Sequence, residues 1–265
     1  MKDSRMIFFV STPDSYFDVF YVFLQCFKKY CVDCPYNLVV ATNTKKYDGI
    51  KVYLNNNPGD SWYERTIPVI KNINAKYILL MDDDIFITDY INYIELENIL
   101  NQMDKYNIKF CGLNNFLHGK KLEKDSLLVR VNKRSPYAKN LQVGIFERDY
   151  LIHILNDNAD GHIQESEWLK EAYYSKNEYY KDIVSCKKNV LHCVHGVYKG
   201  KWSPIVIKKL KKLGISVISD RETHTMHSAI LLKIVNRFGK MLNPKLRRVI
   251  KLILKKINFN FVTEY

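Results

Sequence analysis

The chain has 265 residues, 47% of them hydrophobic and 13% aromatic, enough to bury a substantial core and to exclude general disorder. Ten Gly and seven Pro exclude collagenous and low-complexity classes. Forty-one Lys and Arg against 28 Asp and Glu leave a net charge of +13, which points to an anionic partner: nucleic acid, a membrane surface or a phosphorylated substrate.

The first apolar run, Met6-Ile-Phe-Phe-Val10, is too short for the core of a signal peptide and has no small-residue cleavage site after it. No run approaches the ~18 apolar residues of a spanning helix, so a cytosolic chain is expected. Residues 6–11 read as a buried strand ending in Ser11 and Thr12. Pro13 and Asp14 turn the chain into a helix over about 15–30, with Phe17, Phe20, Tyr21, Leu24 and Phe27 at helical spacing. Cys31 and Cys34 form a lone C-x-x-C after that helix. With Cys26, Cys111, Cys186 and Cys193 they read as ordinary reduced thiols.

Asn37–Ala41 and Ile50–Leu54 are further strands, and Asn55–Gly59 is a loop. Asp60 or Ser61 can cap a helix running to about Asn72, and Tyr77–Met81 is another buried strand. Apolar strands alternating with helices indicate an α/β fold with a mainly parallel sheet covered on both faces. In such sheets ligands bind at the carboxyl ends of the strands. Residues 105–195 mix short strands (Lys109–Leu113, Leu127–Val131) with helices, among them about 148–156, followed by a turn at Asp157–Gly161.

Asp82-Asp83-Asp84 stand between two apolar runs at the end of the Tyr77–Met81 strand. Adjacent like charges at a partly buried site repel unless a cation compensates them. Continued as a strand, the run sets Asp82 and Asp84 on one side, about 7 Å apart, with Asp83 pointing away. The pair can then hold one Mg²⁺ or Mn²⁺ with open positions for phosphate oxygens. A solvated turn with Asp capping the next helix is the plainer alternative. Residues 190–204 carry His192 and His195 on a strand that runs into a loop with two glycines, Lys199, Lys201 and Trp202. Imidazole is a good Mn²⁺ ligand, and a nearby lysine can neutralise a diphosphate.

The strand ending in Asp82-x-Asp84, preceded by the helix that Glu64 and Arg65 open, resembles the metal motif of nucleotide-sugar-dependent glycosyltransferases of the GT-A fold. The His195-to-Lys201-Trp202 segment resembles the loop closing the donor site in glycogenin-type and related retaining enzymes, although it lacks a Pro between Lys201 and Trp202. The resemblance implies a Rossmann-like mixed, mainly parallel sheet with flanking helices over about residues 5–205. Asp82, Asp84 and His195 (with His192 as alternative) would ligate Mn²⁺ or Mg²⁺, and Ser11, Thr12, Arg65, Asp82, Asp83 and Lys201 would contact a nucleoside-diphosphate sugar, UDP-linked first. Leu141–Phe146 looks like the strand lining the acceptor site. Glu165 and Glu167, with Asp160 behind them, are the candidate catalytic carboxylates near the acceptor hydroxyl. Trp168 and Trp202 can stack on sugar or base, or pack in the core. Residues 1–104 would then form the donor half, 105–223 the acceptor half of one catalytic domain, and 224–265 an appendage.

That appendage holds nine basic residues and one acidic, a surplus of eight, and leaves a surplus of five over the first 223 residues. After Pro244, Leu246, Val249, Ile250, Ile253, Leu254 and Ile257 share one helical face with lysines and arginines around it. Such helices lie in the interface of an anionic membrane. A lipid-linked glycan acceptor in bacterial surface-polysaccharide assembly, on the inner face of the plasma membrane, is the corresponding expectation; helices docked on the body are the plainer one. Two other classes share part of this pattern. A haloacid-dehalogenase-like phosphatase would use Asp82 as nucleophile and Asp84 as acid/base, but Phe86 stands where Thr or Val is expected and no later Gly-Asp-x-x-x-Asp follows. A nucleic-acid binder would interleave basic and aromatic residues across the fold, whereas here the charge is concentrated in the tail.

Overall fold

A computed structural model describes residues 5–57, 59–113, 119–124, 126–131, 142–159 and 183–230. Glu165, Glu167, Trp168, Asp160, Leu141 and the tail beyond residue 230 lie outside the described residues. Nine strands form one sheet: β1 (Met6–Ser11), β2 (Asn37–Thr42), β3 (Lys51–Leu54), β4 (Tyr77–Met81), β6 (Phe110–Gly112), β7 (Gly119–Lys121), β8 (Leu128–Val131), β9 (Val143–Glu147) and β10 (Ile183–Cys186). Their order is β3-β2-β1-β4-β9-β6-β10-β8-β7. The first four are mutually parallel, and β10 is parallel to β6. β9 lies antiparallel between β4 and β6, so the sheet runs unbroken across residue 104. Outside it, β5 (Ile85–Ile87) pairs antiparallel with β11 (Cys193–His195), and β12 (Val197–Tyr198) forms a hairpin with β13 (Lys201–Trp202).

The unbroken apolar runs of β1 and β4 follow from burial on both faces. Met6, Phe8 and Val10 face one core while Ile7 and Phe9 face the other; Tyr77, Leu79 and Met81 oppose Ile78 and Leu80 in the same way. The first core is closed by α1 (Phe17–Tyr30), α3 (Tyr93–Lys105) and α5 (Pro204–Lys212) through Phe20, Phe23, Leu96, Leu100, Val206 and Leu210. The second is closed by α2 (Trp62–Lys71) and α4 (Arg148–Ala159) through Val69, Ile70, Leu151 and Leu155. Close packing of the sheet interior fixes Gly144: a β-carbon there would lie 2.5 Å from the Phe110 ring.

The mixed α/β architecture with a mainly parallel sheet and flanking helices is as the sequence implies, and the residues of β1 and β4 are those read from the apolar runs. Three readings change. The aspartate run is a turn, not continued strand, because the Ile85 amide bonds back to the Asp82 carbonyl at 3.2 Å. Of the expected turn at 157–161, residues 157–159 belong instead to α4, which extends to Ala159, and the rest lies outside the described residues. In α1, Phe17 and Tyr21 are 42% and 48% exposed, and the inward face includes Val19, Val22, Phe23 and Cys26 instead. No helix among the described residues is long and apolar enough to cross a membrane.

Of the two possible caps for α2, Ser61 is the one used. Its hydroxyl accepts from the Glu64 amide at 3.3 Å and the Glu64 carboxylate accepts from the Ser61 amide at 2.7 Å. Ser61→Ala is therefore expected to lower stability by about 1 kcal/mol, or roughly 2–4 °C in Tm, in thermal melts.

Candidate functional site

Because β1, β2, β3 and β4 are parallel, their carboxyl ends share one edge, and Thr12, Asn43, Asn55 and Asp82 lie along it. Two polar groupings stand there side by side. In the first, the buried Thr12 hydroxyl donates to Asp83 Oδ2 at 2.6 Å, and the buried Arg65 donates from Nε to Ser11 Oγ at 3.1 Å and from Nη1 to the Asp60 carbonyl at 3.1 Å. Four residues expected at a nucleotide, Ser11, Thr12, Arg65 and Asp83, are thus brought together from β1, α2 and the end of β4. Arg65 forms no ion pair with a described residue. Burial lowers its pKa, against the opposing charges of Asp83, Asp60 and Asp14.

In the second grouping His195 Nε2 lies 2.8 Å from Asp84 Oδ2, across 111 residues of sequence. Backbone pairing places it there. β11 runs antiparallel to β5 with His195 opposite Ile85, and the Gly196 amide continues the ladder to the Asp84 carbonyl at 2.8 Å. Gly196 has no alternative, because a β-carbon would meet the Phe86 ring at 2.2 Å. Phe86 stacks on Trp202 with ring centroids 5.7 Å apart, which makes Trp202 a core residue and ties the hairpin to the turn. The same register sets the exposed His192 opposite Thr88, at the far end of the ladder, where its carbonyl accepts from the Thr88 amide.

Two ligand atoms about 2.1 Å from an octahedral ion stand about 3 Å apart when adjacent, so the spacing of Asp84 Oδ2 and His195 Nε2 suits a shared divalent cation. Asp82, half-buried, bonds through its amide to the Gln142 carbonyl at 3.2 Å. Among the described residues no group of three or more His, Cys, Asp or Glu is arranged to hold a metal. The protein donors offered are therefore the Asp84–His195 pair, and the remaining positions would fall to phosphate oxygens and water. Lys201, on β13, forms its ion pair with Glu222 rather than with the aspartates after β4.

Sequence reasoning missed the segment that covers this edge. Arg221 donates to both oxygens of Asp18, to the Ser15 carbonyl and to the Gly200 carbonyl, and lies 4.2 Å from the centre of the Tyr16 ring. Asp18 also accepts from Ser219, whose hydroxyl accepts from the Trp202 indole. Burial would raise the Asp18 pKa, but these bonds hold it below the ordinary value. His224 bonds to the Tyr198 carbonyl at 2.9 Å, and the Tyr198 ring packs on His195 with centroids 4.5 Å apart. No local pattern singles out Arg221, and Asp18 at a helix start is ordinary for dipole reasons.

No protein-family model matches the chain, and no curated protein matches it. Solved structures give distant alignments. S. aureus TarS 1–349 in complex with UDP aligns at 15% identity and a TM-score of 0.46, covering 79% of this chain and 64% of that one. A second structure of S. aureus TarS 1–349 aligns at 14% identity and a TM-score of 0.42, covering 71% of this chain, and there the chain spans 59% of the other's length. A 4-diphosphocytidyl-2C-methyl-D-erythritol synthase from Anaerococcus prevotii aligns at 12% and 0.39, covering 68% and 90%.

Burial drives the Asp83 pKa up to about 7, Asp84 adds to the rise, and the Thr12 bond and Arg65 oppose it. Unfolded, the group ionises near pH ~4. The folded chain therefore binds the extra proton between these values, and stability from this group is lost as pH rises through about 7. Asp83→Asn, which keeps an acceptor for Thr12, is expected to match the parent at pH 4 and to exceed its Tm by on the order of 5 °C at pH 8 in EDTA. Parallel Tm–pH curves would refute this.

Proposed function

We propose that the chain is a metal-dependent glycosyltransferase of the GT-A type, moving a sugar from a nucleoside-diphosphate sugar to a glycan acceptor. The observation that carries the reading is the meeting of Asp84 and His195 at the carboxyl edge of the parallel strands, beside the Ser11–Arg65 and Thr12–Asp83 bonds. Asp84 and His195 would hold Mn²⁺ or Mg²⁺, with Asp82 as the further candidate carboxylate. The ion would supply charge for the leaving diphosphate as the glycosidic bond breaks.

Arg65, buried and without an ion pair among the described residues, suits the nucleotide's phosphates, and the Ser11 and Thr12 hydroxyls line the same edge. Lys201 would serve the diphosphate after leaving Glu222, an exposed pair that costs little to break. Glu165 and Glu167 remain the proposed carboxylates at the acceptor, in the half formed by residues 105–223. A lipid-linked acceptor, with the basic tail at an anionic membrane on the cytoplasmic side, completes the proposal.

Thermal melts with a panel of sugar nucleotides, with and without Mn²⁺, test the donor site. A rise in Tm that requires both the nucleotide and the ion is expected, with UDP-sugars first. Asp84→Ala and His195→Ala should each remove the Mn²⁺-dependent part of that rise and lower transfer on the order of a hundredfold or more, with the fold intact by circular dichroism. No rise with any sugar nucleotide, or full transfer by Asp84→Ala, would sink the reading.

A further inference from the structure

The surplus of five charges over residues 1–223 looks unremarkable along the sequence, but folding gathers lysines at one end of the body. α1 and α5 finish side by side: Lys29 Nζ donates to the carbonyl of Leu213, the residue closing α5, at 2.5 Å, and Gln25 exchanges two hydrogen bonds with Ser216. Lys28, Lys29, Lys208, Lys209, Lys211 and Lys212 are all exposed there, and none forms an ion pair with a described residue. Lys209 Nζ reaches Thr88 Oγ1 at 3.2 Å, which joins α5 to the segment leading into α3.

That segment and the end of α1 leave large apolar side chains uncovered among the lysines. Tyr90 packs edge-on against Tyr30 yet is 66% exposed; Val32 is 51% and Ile94 77% exposed. The Ile91 amide bonds to the Tyr30 carbonyl, so the start of α3 belongs to the same end. The acidic groups there are the exposed Asp33 and Asp89, and Glu95, which Lys188 neutralises at 2.9 Å. Helix dipoles account for lysine at either helix end taken singly. They do not call for two such ends to meet with aliphatic and aromatic side chains bare between them.

We infer that this end of the folded body, formed by the last turns of α1 and α5 and the Tyr90–Ile94 segment, docks on a lipid surface rich in anionic headgroups. Six lysines supply attraction to the headgroups, and Val32, Tyr90 and Ile94 can enter the acyl boundary. A nucleic acid would use the lysines but would leave Val32 and Ile94 in water. The inference does not rest on the glycosyltransferase reading, and it gives the body a membrane contact separate from the tail. α1, fourteen residues long, runs from the site's edge to this end.

The test is flotation of the full chain with phosphatidylcholine vesicles with and without phosphatidylglycerol. The expected result is binding that requires phosphatidylglycerol and falls on the order of tenfold to a hundredfold in Lys208→Glu/Lys211→Glu/Lys212→Glu. Should the reversed charges weaken the α5 terminus, the triple Gln variant, at parental Tm, should show the same direction of loss. A control variant, Lys251→Gln/Lys255→Gln/Lys256→Gln, separates the tail's share. Parental binding by both α5 variants, equal binding to neutral vesicles, or tighter binding to a single-stranded oligonucleotide than to the anionic vesicles would each overturn the inference.

Discussion

The short antiparallel ladder between β5 and β11 is the constraint on which the site depends. Three residue pairs and two further amide bonds fasten the turn after β4 to a segment more than a hundred residues later. Without that ladder Asp84 and His195 would be two surface groups on separate loops. The ladder in turn needs Gly196 to admit the Phe86 ring, and Phe86 needs Trp202 to cover it. A three-residue strand has little stability of its own; what holds this one is the aromatic stack and the core beneath Ile85 and Ile87. Burial of large apolar side chains therefore fixes the position of an imidazole to within a hydrogen bond of a carboxylate.

The charges at this edge are left without the partners that stability alone would select. A buried guanidinium bonds to a hydroxyl and a carbonyl, while a buried carboxyl nearby takes the Thr12 hydroxyl and its own backbone amide and still has its pKa driven upward by burial. Each arrangement costs stability in the free protein, because desolvation is only partly offset. Contrast Arg221 and Asp18, which bond at both oxygens and lower the carboxyl's pKa. The Arg65 and Asp83 arrangement is thus left only partly compensated, whereas the Arg221–Asp18 pair is complete and holds the covering segment against α1 and the hairpin.

What was legible in the sequence depended on whether the signal was local. β1 and β4 are continuous apolar runs, so their extent and burial on both faces could be read directly. The Ser61 cap carried its own signature in Glu64, and Asp82–Asp84 stood out as carboxylates between apolar runs. The turn that separates Asp83 from Asp84 was not legible, because whether the apolar residues Ile85–Ile87 prolong β4 or start a new strand depends on a partner at Cys193–His195. For the same reason the choice between His192 and His195 was open along the chain, and only the register distinguishes them. Arg221 was invisible because its partners Asp18, Ser15 and Gly200 lie on elements that the fold alone brings together.

Charge shows the same limit. Counted along the chain, basicity belongs to the last 42 residues and the rest is nearly balanced. Yet Lys28 and Lys29 are separated from Lys208, Lys209, Lys211 and Lys212 by some 180 residues, and their neighbourhood exists only because α1 and α5 close the same core and end at the same place. α5 starts directly after the hairpin that carries Lys201 and Trp202, so one connection sets both the wall of the candidate site and the lysine end. The two ends of the body are consequently coupled by packing. A shift of α5 against α1 would move Ser203, whose amide bonds to the Gly196 carbonyl, and with it the residue next to His195.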